Sequence, residues 1–335
     1  MNLKYSLVLS GKTTPQSIID ALGEMPRRSG LFNWIFAHKG EINQWNDIKH
    51  CVDDYDVIQV NMSPMDMTII PEIRNTISDS TKLVINNDYV CEYWNKWNLH
   101  PHYYRDIQMM GDMVFGTEPH QVSNMINGAF CMPHPTHTKI LKSFGHDVTQ
   151  EENSVGFIYH WWAPEAYLSY MTLEAVKAKF GVEKSRIYGY SPDKDPLKSF
   201  VQKKMLFDDV MHLTDFPTFA DKIQKERCLY DPNPCHTYGR NGVEAACLGV
   251  PIVGSDRVFS QQKLFPTLAC DPYDKCATID RFKTVFCDES EMKKIMDYAY
   301  REVEFFNYEN SVKRYIDALK EADERGGHKW YQKNG

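Results

Sequence analysis

The residues best equipped for chemistry lie close together in the stretch Pro234–Asp256, PCHTYGRNGVEAACLGVPIVGSD. His236, Tyr238, Arg240 and Glu244 fall here, with Gly239 and Gly242 among them. The two glycines permit a tight, closely approached loop, and a helix that starts behind such a loop presents unpaired N–H groups and a positive dipole end to an anion. Arg240 adds a cation, His236 donates or accepts a hydrogen bond according to its tautomer, and Glu244 in the expected first turn accepts from hydroxyls. The set suits a ligand that carries both phosphate and hydroxyl groups. The same residues also fit an ordinary helix–strand unit with an arginine and a glutamate at its surface.

Positioning these groups requires a loop, a helix, a stop and a strand in that order. Val243–Leu248 supplies about two helical turns, Gly249 sits where a helix ends in the left-handed conformation, and Val250-Pro251-Ile252-Val253 reads as a buried strand. Upstream, strand-like runs at 3–9, 31–37, 56–60, 81–85 and 113–116 alternate with helical stretches at 14 onward and 71–77. After a proline- and histidine-rich linker at 131–153, strands are expected at 154–159, 186–190 and 211–213, with helices at 166–180 and 221–228. Two long helices, 289–308 and 310–324, end the chain. Strands alternating with helices imply βαβ units, parallel sheets and ligands at the carboxyl ends of the strands. Gly11, Ser63, Asp88 and Thr117 then share one rim, and Ser191 follows a strand of the second half.

The 234–256 run resembles the donor-site signature of retaining GT-B glycosyltransferases of the glycogen-synthase and sucrose-synthase type. Their pattern is Glu, then Gly-Phe-Gly, then a second Glu followed by Ala and a Gly-x-Pro-Val turn. The match lies in Tyr238-Gly239, Glu244-Ala245 and Gly249-Val250-Pro251-Ile252-Val253, while His236 stands in place of the first glutamate. The resemblance implies that Glu244 holds the ribose of a nucleotide-diphosphate sugar, with uracil or guanine as the base. It implies that His236 contacts the transferred sugar and that no metal or other cofactor takes part. Asp88 takes the place of an aspartate near the reacting sugar, and Gly11 that of a loop glycine close to the donor. The Arg and Lys such enzymes carry after the first strand of the second domain are absent from Tyr159–Glu165, leaving Arg240, His160 and the amides around Gly239 to face the diphosphate.

The residues allow plainer readings as well. Asp88 in Asn-Asn-Asp can close an Asx turn, and Gly11 can serve a simple turn. Asp54-Tyr55-Asp56 and Asp193-Lys194-Asp195 have the form of a metal-binding D-x-D but read as solvated acids. His100-Pro101-His102 and His134-x-x-His137 lack further ligands at metal spacing and read as loop histidines. Trp94, Trp97, Tyr103 and Tyr104 fit either a stacking platform for an acceptor or core packing.

Composition sets bounds on all of this. The 335 residues exceed what one core usually serves, and 42% hydrophobic with 25% charged residues is ordinary for a globular protein. Nine scattered cysteines without a C-x-x-C pair point to reduced thiols and a cytoplasmic setting. A net charge of −7 gives no overall attraction to nucleic acid, and no apolar run is long enough to span a bilayer.

The expectation is an α/β protein of GT-B type with two Rossmann-like domains, at 1–150 on the acceptor side and 151–308 on the nucleotide-sugar side. A C-terminal segment, 309–335, returns to the first domain. The expected activity is retaining, metal-independent transfer of a hexosyl or pentosyl group from a nucleotide sugar, UDP-linked for example, to a glycan, a small molecule or DNA. A viral enzyme that glycosylates hydroxymethyl-pyrimidine bases and a catalytically silent nucleotide-binding protein are the alternatives.

Overall fold

The computed structural model describes residues 3–10, 33–63, 66–87, 101–145, 153–159, 167–190, 207–212 and 216–334. These form two compact units, the first made of 1–136 with 306–335 and the second of 137–305. The boundary falls inside the stretch read as a linker, and part of that stretch, Thr138–Ser143, is a helix.

In the first unit the strands are β1 (Tyr5–Leu9), β2 (Glu41–Gln44), β3 (Val57–Asn61), β4 (Lys82–Asn87), β5 (Met113–Gly116) and β6 (Phe130–Cys131). They pair in the order β2-β1-β3-β4-β5-β6, all parallel. Strands covered on both faces need apolar side chains on both, which explains the near-continuous runs in β1 and β4. One face buries Val8, Ile58, Val60, Leu83, Ile85 and Val114 against Ile70 and Ile73 of the helix Ile70–Thr76. The other buries Leu7, Val57, Val84, Met113 and Phe115 against Trp34 and the late residues Tyr315, Ala318 and Ala322. Those three lie on one stripe of the helix Tyr308–Arg325, spaced as a helix face requires.

In the second unit the strands are β7 (Ser154–Ile158), β8 (Lys184–Tyr190), β9 (Asp209–His212), β10 (Cys228–Asp231), β11 (Ile252–Ser255) and β12 (Ala269–Cys270). The order is β12-β11-β10-β7-β8-β9, again parallel. The chain therefore builds outward from β7 to β9, then returns to the other side with β10. That reversal between β7 and β10 is a topological switch point, the place in open α/β sheets where ligands bind.

Several elements differ from expectation. The run at 31–37 is not a strand: Asn33–His38 is a helix, and the strand follows as β2. A short apolar run does not separate the two by periodicity, and the chain turns sharply after the helix through Lys39, at φ 53°, and Gly40. A Cβ on Gly40 would lie 2.4 Å from the Tyr5 ring, so the turn packs directly on β1. The expected helix 221–228 is instead Phe216–Ile223 followed by β10, a strand too short to show alternation. The helix expected at 289–308 stops at Glu302, and Val303–Phe306 continues as a 3-10 turn.

Of the histidines read as loop residues, one lies in a helix and another caps one. His102 lies in the helix Pro101–Gln108, and His137 caps Thr138–Ser143 by accepting the Ile140 N–H at 3.2 Å. Tyr104 is a core residue, and burial pushes its phenol up to about 12. Asp56 accepts the Lys4 N–H, which leaves it as a backbone clamp at the entry to β3. Among the described residues no group of three or more His, Cys, Asp or Glu side chains is placed to hold a metal ion. No helix among them is long and apolar enough to cross a membrane.

Candidate functional site

The site candidate in the second unit begins where β10 ends at Asp231, beside the switch point. Residues 232–239 leave the sheet as a loop and enter the helix Arg240–Leu248. A segment following β11 holds this loop in place. Thr237 pairs with Val258 as an isolated parallel bridge, the Phe259 N–H donates to the Thr237 carbonyl at 2.9 Å, and the Ser260 N–H donates to the Tyr238 carbonyl at 3.0 Å. The Ser260 hydroxyl donates to the Gly239 carbonyl. Asn241 Nδ2 donates to Asp231 Oδ2 at 3.0 Å and ties the first turn of the helix to the strand end.

Gly239 is required for two independent reasons. Its φ of 76° is left-handed, and a Cβ there would sit 2.0 Å from Val258 Cγ1 and 2.8 Å from Ser260 Oγ. Gly242 belongs to the helix and not, as expected, to the loop; a Cβ on it would lie 2.5 Å from Ser260 Oγ. The two glycines thus let the start of the helix rest against Ser260. Gly239→Ala is expected to destabilise the protein by about 2 kcal/mol, combining left-handed strain with the clash. Urea melts measure it, and an unchanged midpoint would show that the loop is not held by this contact.

At its N-cap the helix makes no hydrogen bond to the side chain of Gly239, which has none to offer. Its first N–H groups therefore suit an acceptor from outside the helix. Glu244 lies one turn in, not in the first turn, because the helix starts at Arg240. It is only 3% exposed and pairs with Arg240 Nε at 3.2 Å, one helical turn away. The Arg240 side chain is 36% exposed, so it covers the carboxylate from the solvent side. This partnership is the expected geometry of an i, i+4 pair.

The structure thus brings Gly239, Arg240 and Glu244 together and places His236 and Tyr238 on the loop leading to them. His236 is half-buried, while Tyr238 is buried and meets the strap through its carbonyl. Gly11, Asp88, His160 and Ser191 lie outside the described residues. The strap itself was not anticipated from sequence, nor were Asp231 and Asn241. Arg257 was also missed: it donates to the Pro234 carbonyl at 3.0 Å and lies over the Tyr273 ring at 5.2 Å, adding a cation at this rim. A serine three residues past an arginine has no signature of its own.

No protein-family model matches the chain, and no curated protein sequence does. Solved structures do. TarM of S. aureus, solved in complex with fondaparinux, alpha-GlcNAc-glycerol and UDP, aligns at TM-score 0.62 and 12% identity over 82% of this chain; the alignment spans 57% of TarM's length. Sucrose-phosphate synthase from Thermosynechococcus elongatus aligns at TM-score 0.66 and 12% identity, covering 96% of this chain and 99% of that one. An alpha-glucosyltransferase bound to UDP and a 13-mer DNA aligns at TM-score 0.62 and 11% identity, covering 94% and 99%. At such identities the likeness concerns the backbone, and the two six-stranded parallel sheets agree with it. The chain has the GT-B fold.

Proposed function

We infer that the protein is a glycosyltransferase that moves a sugar from a nucleotide-diphosphate donor to an acceptor hydroxyl. The observation that carries this reading is the buried Glu244 one turn inside a helix whose N-terminus opens beside the switch point of a GT-B sheet. Glu244 accepts from the ribose hydroxyls, and the helix start with Gly239 receives the diphosphate. Charge that develops on the leaving diphosphate is met by fixed N–H groups that need no reorganisation. Arg240, paired with Glu244, and Arg257, 4.0 Å from Asp271, stand at or near the same rim as further hydrogen-bond donors. His236 faces the transferred sugar, and Asp88, Gly11, His160 and Ser191 enter this reading from the sequence alone.

Transfer with retention of configuration and without a metal follows from the same resemblance. The donor base is uracil on this reading, since UDP is bound in the TarM and alpha-glucosyltransferase structures named above.

Calorimetric titration of UDP and GDP into wild type and Glu244→Ala tests the central assignment. The variant should bind at least tenfold more weakly, a loss of about 1.4 kcal/mol. Equal affinity would remove Glu244 from the ribose. Sugar release from the donor should persist in EDTA, and its complete loss there would replace the metal-free mechanism.

A further inference from the structure

The sheet of the first unit holds a polar patch that the donor site does not use. Gln59 and Asn61 of β3 and Asn86 of β4 occupy the face that elsewhere carries Val57, Val84 and Phe115. Asn61 and Asn86 are register partners, and they are 2% and 0% exposed. Asn86 Nδ2 donates to Asn61 Oδ1 at 2.9 Å, Gln59 Nε2 reaches the same oxygen at 3.5 Å, and Tyr315 Oη donates to Gln59 Oε1 at 3.3 Å. Asn61 Nδ2 and Asn86 Oδ1 remain buried with no partner among the described residues.

Turning the amides does not repair this. Two amides that share one hydrogen bond always leave one NH2 group and one carbonyl over. Burying such groups unpaired costs free energy, and an apolar pair would fill these positions without that cost. The patch also lies at the carboxyl ends of two central parallel strands, the end of the sheet where α/β folds collect ligands.

We propose that Asn61 and Asn86 form a binding site for one neutral hydroxyl group. Its oxygen accepts from Asn61 Nδ2 and its proton is donated to Asn86 Oδ1. A hydroxyl satisfies both requirements at once, whereas a carbonyl only accepts and an ammonium only donates. The bonds that hold the patch join uncharged groups, so an ion would enter the core without a counter-charge. The hydroxyl comes either from a sugar or polyol acceptor or from a resident water molecule. Only the first source rests on the glycosyl-transfer reading.

Crystals of the whole chain, grown alone and soaked in D-glucose, test the site. An oxygen within about 3.2 Å of both amide atoms is expected in each. Replacement of that oxygen by a glucose hydroxyl identifies an acceptor site, and an unchanged water identifies a structural one; both support the proposal. Protein groups closing on both atoms, an ion, or no oxygen at all would overturn it. If glucose is the occupant, Asn86→Ala should weaken glucose binding about tenfold in ligand-observed NMR while UDP affinity stays within about twofold. An oxygen present with no UDP binding would defeat the donor reading and leave this site standing; UDP binding with no oxygen would do the reverse.

Discussion

Glu226→Ala should destabilise the protein by about 3–5 kcal/mol, because it removes the buried counter-charge of Arg186 in the core of the second unit. Glu226 is fully buried just ahead of β10, and its Oε1 receives Arg186 Nη1 at 3.0 Å and the Tyr188 hydroxyl at 2.5 Å. Both partners belong to β8, and β7 lies between. The carboxylate reaches across only because β7 has Gly156 at the crossing: a Cβ there would stand 3.1 Å from Glu226 Cγ and 2.8 Å from Tyr188 Cε2. Removing the carboxylate leaves Arg186 facing Asp209, at 3.5 Å and on the exposed side, and the Ser154 hydroxyl at 3.4 Å. Denaturant melts should record the loss. The double replacement Glu226→Leu with Arg186→Met should recover most of it, since an apolar pair of similar volume escapes the desolvation penalty. A double variant as unstable as the single one would show that packing, not charge, sets the cost.

Acid is the second lever. His38 is stacked on Tyr5 with ring centroids 4.7 Å apart and lies 4.6 Å from Tyr315, and burial lowers its pKa to about 4. The unfolded chain takes up this proton below about 6.5, whereas the folded chain resists until about 4. Stability attributable to neutral His38 is therefore complete above pH 6.5 and is lost progressively as the pH falls to 4. The window corresponds to about 3 kcal/mol. Melting curves across it should show that slope in wild type and a flatter one in His38→Phe, which keeps the stacking. Equal slopes would assign the acid response elsewhere. Asp112 does not confuse the measurement. Burial works against its charge, but the Leu83 N–H, Arg74 and His328 outweigh that and hold its carboxyl below 3.8, so its contribution is lost at lower pH.

Much of the architecture was legible because parallel strands buried on both faces announce themselves as apolar runs. Val57–Asn61, Met113–Gly116 and Ser154–Ile158 appear almost as read. Elements failed where pattern carried no length. Asn33–His38 and Cys228–Asp231 are too short for a period, and only tertiary contacts decide between helix and strand there. The Gly239–Glu244 unit was visible because a left-handed glycine, a helix and a Gly-x-Pro turn leave a local imprint. Its supports were not visible. Ser260 acts through a backbone carbonyl, Asp231 through one amide, and Arg257 through another carbonyl, and such long-range bonds leave no spacing to read. The Asn61–Asn86 pair was hidden for the same reason, since register alone makes them neighbours.

The two units differ in continuity. Residues 137–305 run without interruption, whereas the first unit takes its final helices from 306–335. Tyr315, fully buried beside Trp34 and Phe115, follows the whole of the second unit in the chain. The unit begun first is thus completed after the other, and Trp34 and Phe115 lack their Tyr315 neighbour until the second unit already has every residue it needs. A chain cut after residue 305 would keep every residue of the second unit and lose the segment that completes the first.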